Sequence, residues 1–291
     1  MLKKSTWQHL RVPFSIFLMP VFCFALSLSG TELAWWRVIV AFVSIHFFLY
    51  PASNGYNSYF DKDEDSIGGL EKPPPVDKEL YWAALAFDGV AILLALLLSW
   101  QFALALFIYG LISKAYSYDG IRLKKYPIIS WLTVGLFQGA FTLMMSYLAI
   151  NQVSISSVNT PMLWFASALS TLMLLGSYPM TQVYQHEEDG KRGDETISRK
   201  LGIKGTFLFT AIVFGLSSGG FVYFYLYYFN LTFALAFLVL LSPVLVYFLR
   251  WFLRVLKDVK HADFRSTMHL NMISSVCLSL FYILTWLYAF F

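Results

Sequence analysis

The chain has 291 residues, 58% of them hydrophobic and 13% charged, with a mean hydropathy of +0.62. A soluble domain carries roughly 25% charged residues, so this composition excludes one and points to a polytopic membrane protein. The net charge of +4 is small, and its placement along the chain follows membrane sidedness rather than a nucleic-acid surface.

Apolar runs long enough to cross a bilayer fall at roughly 12–30, 33–56, 80–99, 101–117, 127–150, 161–184, 206–228, 231–252 and 267–290. The sequence therefore predicts an all-α fold with about nine transmembrane helices, organised as one domain over 1–291. Lys3 and Lys4 precede the first run as they would in a signal peptide. No small-x-small cleavage site follows, and the expectation is a retained helix. Cys23 and Cys277 lie inside separate apolar runs, which indicates neither a disulfide framework nor a thiolate metal site.

The second run leads into Asn54, Asn57, Asp61 and Asp65, spaced three, four and four residues apart. On a helix that spacing places all four on one face. Carboxylates so close repel unless a cation or basic groups neutralise them, and oxygen ligands completed by phosphate are the usual arrangement for Mg²⁺. The bland alternative is a solvated acidic cap, and Asp63 and Glu64 fit that description. Gly68-Gly69 and Pro73-Pro74-Pro75 break any continuing helix, so a loop folding back over the carboxylates is expected, with Lys72 in reach of a phosphate.

Further along, Asp88 is an intramembrane carboxylate that either faces a cavity or pairs with a neighbouring helix. His46, Gln138 and His269 are expected to be packing or bridging residues. After the fourth run come Arg122, Lys124 and Lys125, a compact cationic patch suited to phosphate or simply to topology. A second acidic cluster follows the sixth run: Gln185-His186-Glu187-Glu188-Asp189-Gly190-Lys191-Arg192-Gly193-Asp194. Mixed acids, bases and glycines suit a metal–phosphate site; a charged surface loop is the alternative. With the N-terminus inside, every Lys and Arg except Arg37 falls on inside segments. The two motif loops, at about 57–79 and 185–205, lie four helices apart, which suggests two four-helix pseudo-repeats plus a ninth helix.

Asn54-x-x-Asn57-x-x-x-Asp61-x-x-x-Asp65, with Lys72-Pro73 after it, resembles the first aspartate-rich motif of the UbiA-type intramembrane prenyltransferases. Gln185-x-x-x-Asp189-x-x-x-Gly193, followed by Thr196-Ile197 and Leu201-Gly202, resembles the second, and Arg122-Leu123-Lys124 resembles the basic segment after the fourth helix. Arg11-Val12-Pro13 fits the N-terminal pattern. The departures are Ser58 in place of an Asp, Lys72 in place of an Arg, and Gln185 in place of the second motif's first Asp. Glu188, near the same helical face as Gln185, is the candidate replacement carboxylate.

The resemblance implies helices around a central cavity and Mg²⁺-dependent transfer of a polyprenyl group from a prenyl diphosphate to a small aromatic or lipid acceptor. It implies Asn57, Asp61, Asp65, Asp189 and Glu188 as metal ligands, with Asp61, Asp65 and Asp189 the residues on which catalysis depends. Lys72, Arg122, Lys124, Asn54 and Gln185 would contact the diphosphate. The expected setting is an integral multi-pass protein of a bacterial inner membrane with both motifs cytoplasmic, partnered by lipid and by no nucleic acid. A related terpene cyclase and an ion-coupled transporter are the alternatives; the transporter predicts carboxylates near the bilayer centre, where Asp88 alone qualifies.

Overall fold

A hydrophobic segment in lipid must satisfy its backbone internally, so the apolar runs have to become helices. The computed structural model, which describes residues 2–288, has nine long ones. They are α1 (Lys4–Ser27), α2 (Trp35–Asp61), α3 (Glu79–Leu96), α4 (Trp100–Ser117), α5 (Pro127–Asn151), α6 (Pro161–Gln182), α7 (Ile197–Tyr228), α8 (Leu231–Lys257) and α9 (Phe264–Tyr288). Eight are long and apolar enough to span a membrane; α4, with Gln101 and Lys114, is the less apolar exception. The protein is an integral, multi-pass membrane protein.

Local chemistry sets the helix ends. Ser99, Thr160, Thr196 and Asn230 each accept a backbone N–H two or three residues on, which starts α4, α6, α7 and α8. Lys62 adopts a left-handed conformation (φ 50°) and its N–H reaches Ser58, which stops α2 at Asp61. Arg11 (φ 49°) divides α1 near its start. A π-turn over Ser44–Leu49 precedes Pro51 in α2 and absorbs the backbone bond that proline cannot make.

The helices form a ring. α1 packs on α9, α9 on α8, α8 on α7, α7 on α6 and α6 on α5; α4 and α2 close the circuit back to α1. α3 stands behind α2 and α4. Close passage of α5 past α6 depends on Gly139, where a Cβ would stand 2.6 Å from the Thr171 Cα. One end of the ring is filled by buried rings, among them Phe24, Phe221, Phe224, Tyr225, Phe237 and Phe281. The other end stays open and carries the loops.

Asp88 does not face the ring's interior. It lies on α3 and pairs with Lys114 of α4, whose ammonium also sits 5.2 Å from the Tyr56 ring. His46 packs as expected, stacked on Phe42 at 4.5 Å with Nδ1 3.2 Å from the Ser15 carbonyl, and His269 lies against Tyr247.

Candidate active site

Among the described residues the ring surrounds a cavity of about 840 Å³, walled by every long helix except α3. Its far part is apolar. Its rim at the loop end is built from both acidic segments and the cationic loop: Asn54, Asn57, Asp61, Asp63, Lys124, Gln185 and Asp189 all line it.

Asp61, the last residue of α2, is 2% exposed and heavily partnered. Lys124 Nζ lies 2.7 Å away, Arg192 Nη1 3.2 Å and Arg122 Nη2 3.5 Å, and Asn57 Nδ2 donates to it at 2.7 Å. The Asn57 amide also donates to Ser117 of α4 at 3.1 Å. Asp194, fully buried, takes Arg122 through Nε (3.0 Å) and Nη2 (2.9 Å), and Lys124 at 3.1 Å. Three loops distant in sequence are thereby cross-linked by charge. Burial works against the charged forms of Arg122 and Lys124, yet Asp194 and Asp61 hold both above their ordinary pKa values. Burial likewise opposes ionisation of Asp194, and Arg122 with Lys124 outweighs it and keeps that carboxyl below its usual range.

Asp189 and Asp63 show the opposite balance. Burial, reinforced by the other carboxylates, pushes Asp189 up to about 7 and Asp63 up to about 6. Asp189 Oδ2 is buried with no hydrogen-bond partner. An orphaned buried oxygen among hard oxygen donors fits a divalent cation such as Mg²⁺. Among the described residues no three acidic, His or Cys side chains converge on one point, which suits an ion that takes one or two carboxylates and completes its shell from phosphate and water. Asn57, Asp61, Asp63 and Asp189 are the wall residues whose oxygens could hold it.

Several expected residues stand elsewhere. α2 ends at Asp61, so the helical face assumed for Asp65 does not extend that far. Asp65 is in the loop, its side chain 65% exposed and 3.6 Å from Lys191, and it is not part of the cavity wall. Asp63, set aside as a solvated cap, is in the wall instead. Lys72 is exposed and outside the wall; Arg122, expected at the diphosphate, is also outside it and is taken up by Asp194 and Asp119. Glu188 pairs with Lys191 at 3.3 Å and is likewise outside it. Gln185 lines the cavity, but its amide donates to the Ser66 carbonyl at 3.2 Å and ties the two motif loops together. Asn54 lines the cavity and gives its carbonyl to Arg11. Gln138, for which no role was expected, also lines it.

Arg11, Arg192 and Asp194 are the site residues that spacing did not single out. The Arg11 guanidinium donates to the carbonyls of Gly68 (2.9 Å) and Asn54 (3.0 Å) and holds the folded-back loop over the rim. Asp194 breaks the four-residue rhythm of its motif because the short helix His186–Lys191 ends and Gly193 turns left-handed (φ 71°). Its signal in the sequence was only that an acid follows a glycine.

Residues 17–276 match the profile of the UbiA prenyltransferase family. Several solved structures share the fold. A UbiA homolog from Archaeoglobus fulgidus bound to DMAPP and Mg²⁺ superposes with a TM-score of 0.70 at 16% identity, covering 98% of this chain and 99% of that one. The apo UbiA homolog from Aeropyrum pernix K1 gives 0.71 at 17% identity, over 94% and 98%. A digeranylgeranylglyceryl phosphate synthase gives 0.61 at 18% identity, over 98% of each. At such identities the likeness concerns the fold. No functionally curated protein matches the sequence.

Proposed function

The chain belongs to the UbiA prenyltransferase family, and from that premise we propose that it transfers a polyprenyl group from a prenyl diphosphate to a small aromatic or lipid acceptor within the membrane, with Mg²⁺ as cofactor. The observation that carries the proposal is the shared cavity: Asp61, at the end of α2, and Asp189, in the short helix His186–Lys191, line one apolar hollow. A diphosphate head at the rim with its hydrocarbon tail in the hollow is the ligand shape that such a wall accommodates.

Charge bookkeeping supports the cofactor. Lys124, Arg122 and Arg192 are already engaged by Asp61, Asp194 or both. A diphosphate added to this nearly balanced rim brings several negative charges, which a divalent ion between carboxylates and phosphate offsets. When bound, Mg²⁺ would neutralise the diphosphate and make it a better leaving group. The protein's own part is distinct: Asn57, Asp61, Asp63 and Asp189 would present the oxygens and Lys124 its ammonium to the phosphate oxygens, while Arg122 and Arg192, behind the wall, hold Asp194 and Asp61 in place. The apolar wall below the rim keeps water from the allylic cation formed as the bond to oxygen breaks. Nearby rings such as Tyr109, Phe137 and Tyr178 offer it π-faces.

The homologs bound to GPP or DMAPP with Mg²⁺ support the donor class. The inside-positive charge distribution supports a cytoplasmic rim and an inner-membrane setting. The motif helices α2 and α6 hold the second position in successive four-helix units, which supports two pseudo-repeats and a ninth helix. A transporter reading is disfavoured because Asp88 is neutralised by Lys114 away from the wall.

The test is turnover of prenyl diphosphates against an acceptor panel, with Mg²⁺, by purified protein in bilayers. Asp61→Ala should abolish it, and undiminished product would sink the proposal. Products formed without an acceptor would point to a cyclase.

A further inference from the structure

The cavity's far end is sealed by aromatic rings. Phe24 of α1, Phe221 of α7, Phe237 of α8 and Tyr282 of α9 line it, and none is more than 2% exposed. Phe24 stacks on Tyr282 at 4.6 Å, Phe221 on Phe237 at 5.1 Å, and Phe24 meets Phe221 at 5.5 Å. A second layer backs them: Phe281 lies 5.3 Å and Tyr225 6.0 Å from Phe237. Extending the hollow past this floor requires displacing packed rings from two layers.

The depth from rim to floor follows from helix geometry. On α1, Arg11 grips the rim loop and Phe24 belongs to the floor; on α6, Gln182 is at the rim and Leu169 packs beside Gly220, next to Phe221. Each pair is thirteen residues apart, and part of each stretch, Val12–Leu18 and Tyr178–Gln182, is 3-10 helix; at about 2.0 Å per 3-10 residue and about 1.5 Å per α residue both give a depth of about 22 Å. An extended isoprene unit advances about 5 Å, being four zigzagged carbon–carbon bonds of about 1.5 Å. The hollow therefore takes about four units.

We propose that this aromatic floor measures the donor's tail, making the substrate a prenyl diphosphate of up to about four isoprene units. The inference rests on the donor reading given above. One other path exists for a longer tail. The exposed residues of the wall, Gly215, Leu238, Ser242, Leu245 and Leu249, all lie on α7 and α8 and mark a slot toward lipid. Ring contacts between Phe214 and Phe248 at 6.0 Å, and between Phe221 and Phe237, pin the two helices together on either side of it.

The experiment measures pyrophosphate release from donors of two, three, four, six and eight units, with Mg²⁺ and the same acceptor panel, by protein in bilayers. Rates should hold through four units and fall at least tenfold at six. Phe221→Ala, and the milder Phe237→Leu should the first fail to fold, should raise the six-unit rate relative to the two-unit rate at least fivefold. Equal rates for four, six and eight units overturn the ruler; loss of only the long donors in Ser242→Phe would then assign their tails to the slot. A limit at four units that neither folded variant relaxes also overturns it. Silence with donors of every length would instead overturn the prenyltransferase reading itself.

Discussion

Asp194 is the residue whose importance is least visible in one dimension. Its carboxylate is fully buried and holds Arg122 in a two-point grip while touching Lys124. Removing one partner of such a pair leaves the others buried and uncompensated. Asp194→Asn keeps the shape and deletes the charge. It should raise the KM for the donor about tenfold, since about 1.4 kcal/mol is one decade, with a smaller change in kcat; steady-state kinetics with varied donor checks the split. Asp194→Glu should recover part of the loss. Asp189 makes a second prediction at this scale. Its folded carboxyl titrates near 7, above its ordinary value, so the folded protein holds a proton that the unfolded chain releases. Without a cation, stability should therefore fall as pH rises from about 4 to about 7. A cation needs the ionised form, so apparent Mg²⁺ affinity should weaken about tenfold per pH unit below 7 and level off above it. In metal titrations between pH 5.5 and 8.5, a fall that begins only near 6, set by Asp63, would show that Asp189 is not a ligand.

At the scale of elements, the ring depends on a few places where backbones meet closely or turn sharply. Gly139 is one: a Cβ there would collide with the Thr171 backbone at 2.6 Å, and backbone cannot swing aside as a side chain can. Gly139→Ala should cost about 1–3 kcal/mol, read as a lower unfolding temperature in detergent, whereas Gly89→Ala on α3, with open space around it, should change little. The folded-back loop after α2 is another. Arg11 holds Gly68, Gln185 holds Ser66, and His9 meets the Pro74 carbonyl at 2.8 Å. Gln185→Ala cuts the clasp between the motif loops and should speed proteolysis within 62–78 about severalfold at unchanged global stability.

For the whole molecule, the charge asymmetry predicts a measurable topology. Single cysteines introduced at Ser5 and Ser156, in a Cys23→Ser/Cys277→Ser background, should react with membrane-impermeant maleimide from opposite sides of the bilayer. Labelling from the same side would contradict the span arrangement. Helix existence, approximate spans and the identity of the two motif segments were legible in the chain, because bilayer thickness demands long apolar runs and the motif residues recur at helical spacing. Asp65 and Asp63 show where that legibility stopped. The four-residue rhythm favoured Asp65, but the left-handed Lys62 ended the helix and the following turn brought Asp63 to the wall.

The sequence alone thus determined the helical class, the membrane setting and which loops hold acids and bases, since hydropathy and periodicity are local properties summed along a chain. Only the tertiary structure decided which of those acids share a cavity, that Arg11 lines it with them while Arg192 and Asp194 brace the rim from behind, and that Asp88 is spent on Lys114. Those outcomes depend on how a ring of helices closes and where its loops turn. Contacts between residues a hundred positions apart leave no mark in local spacing.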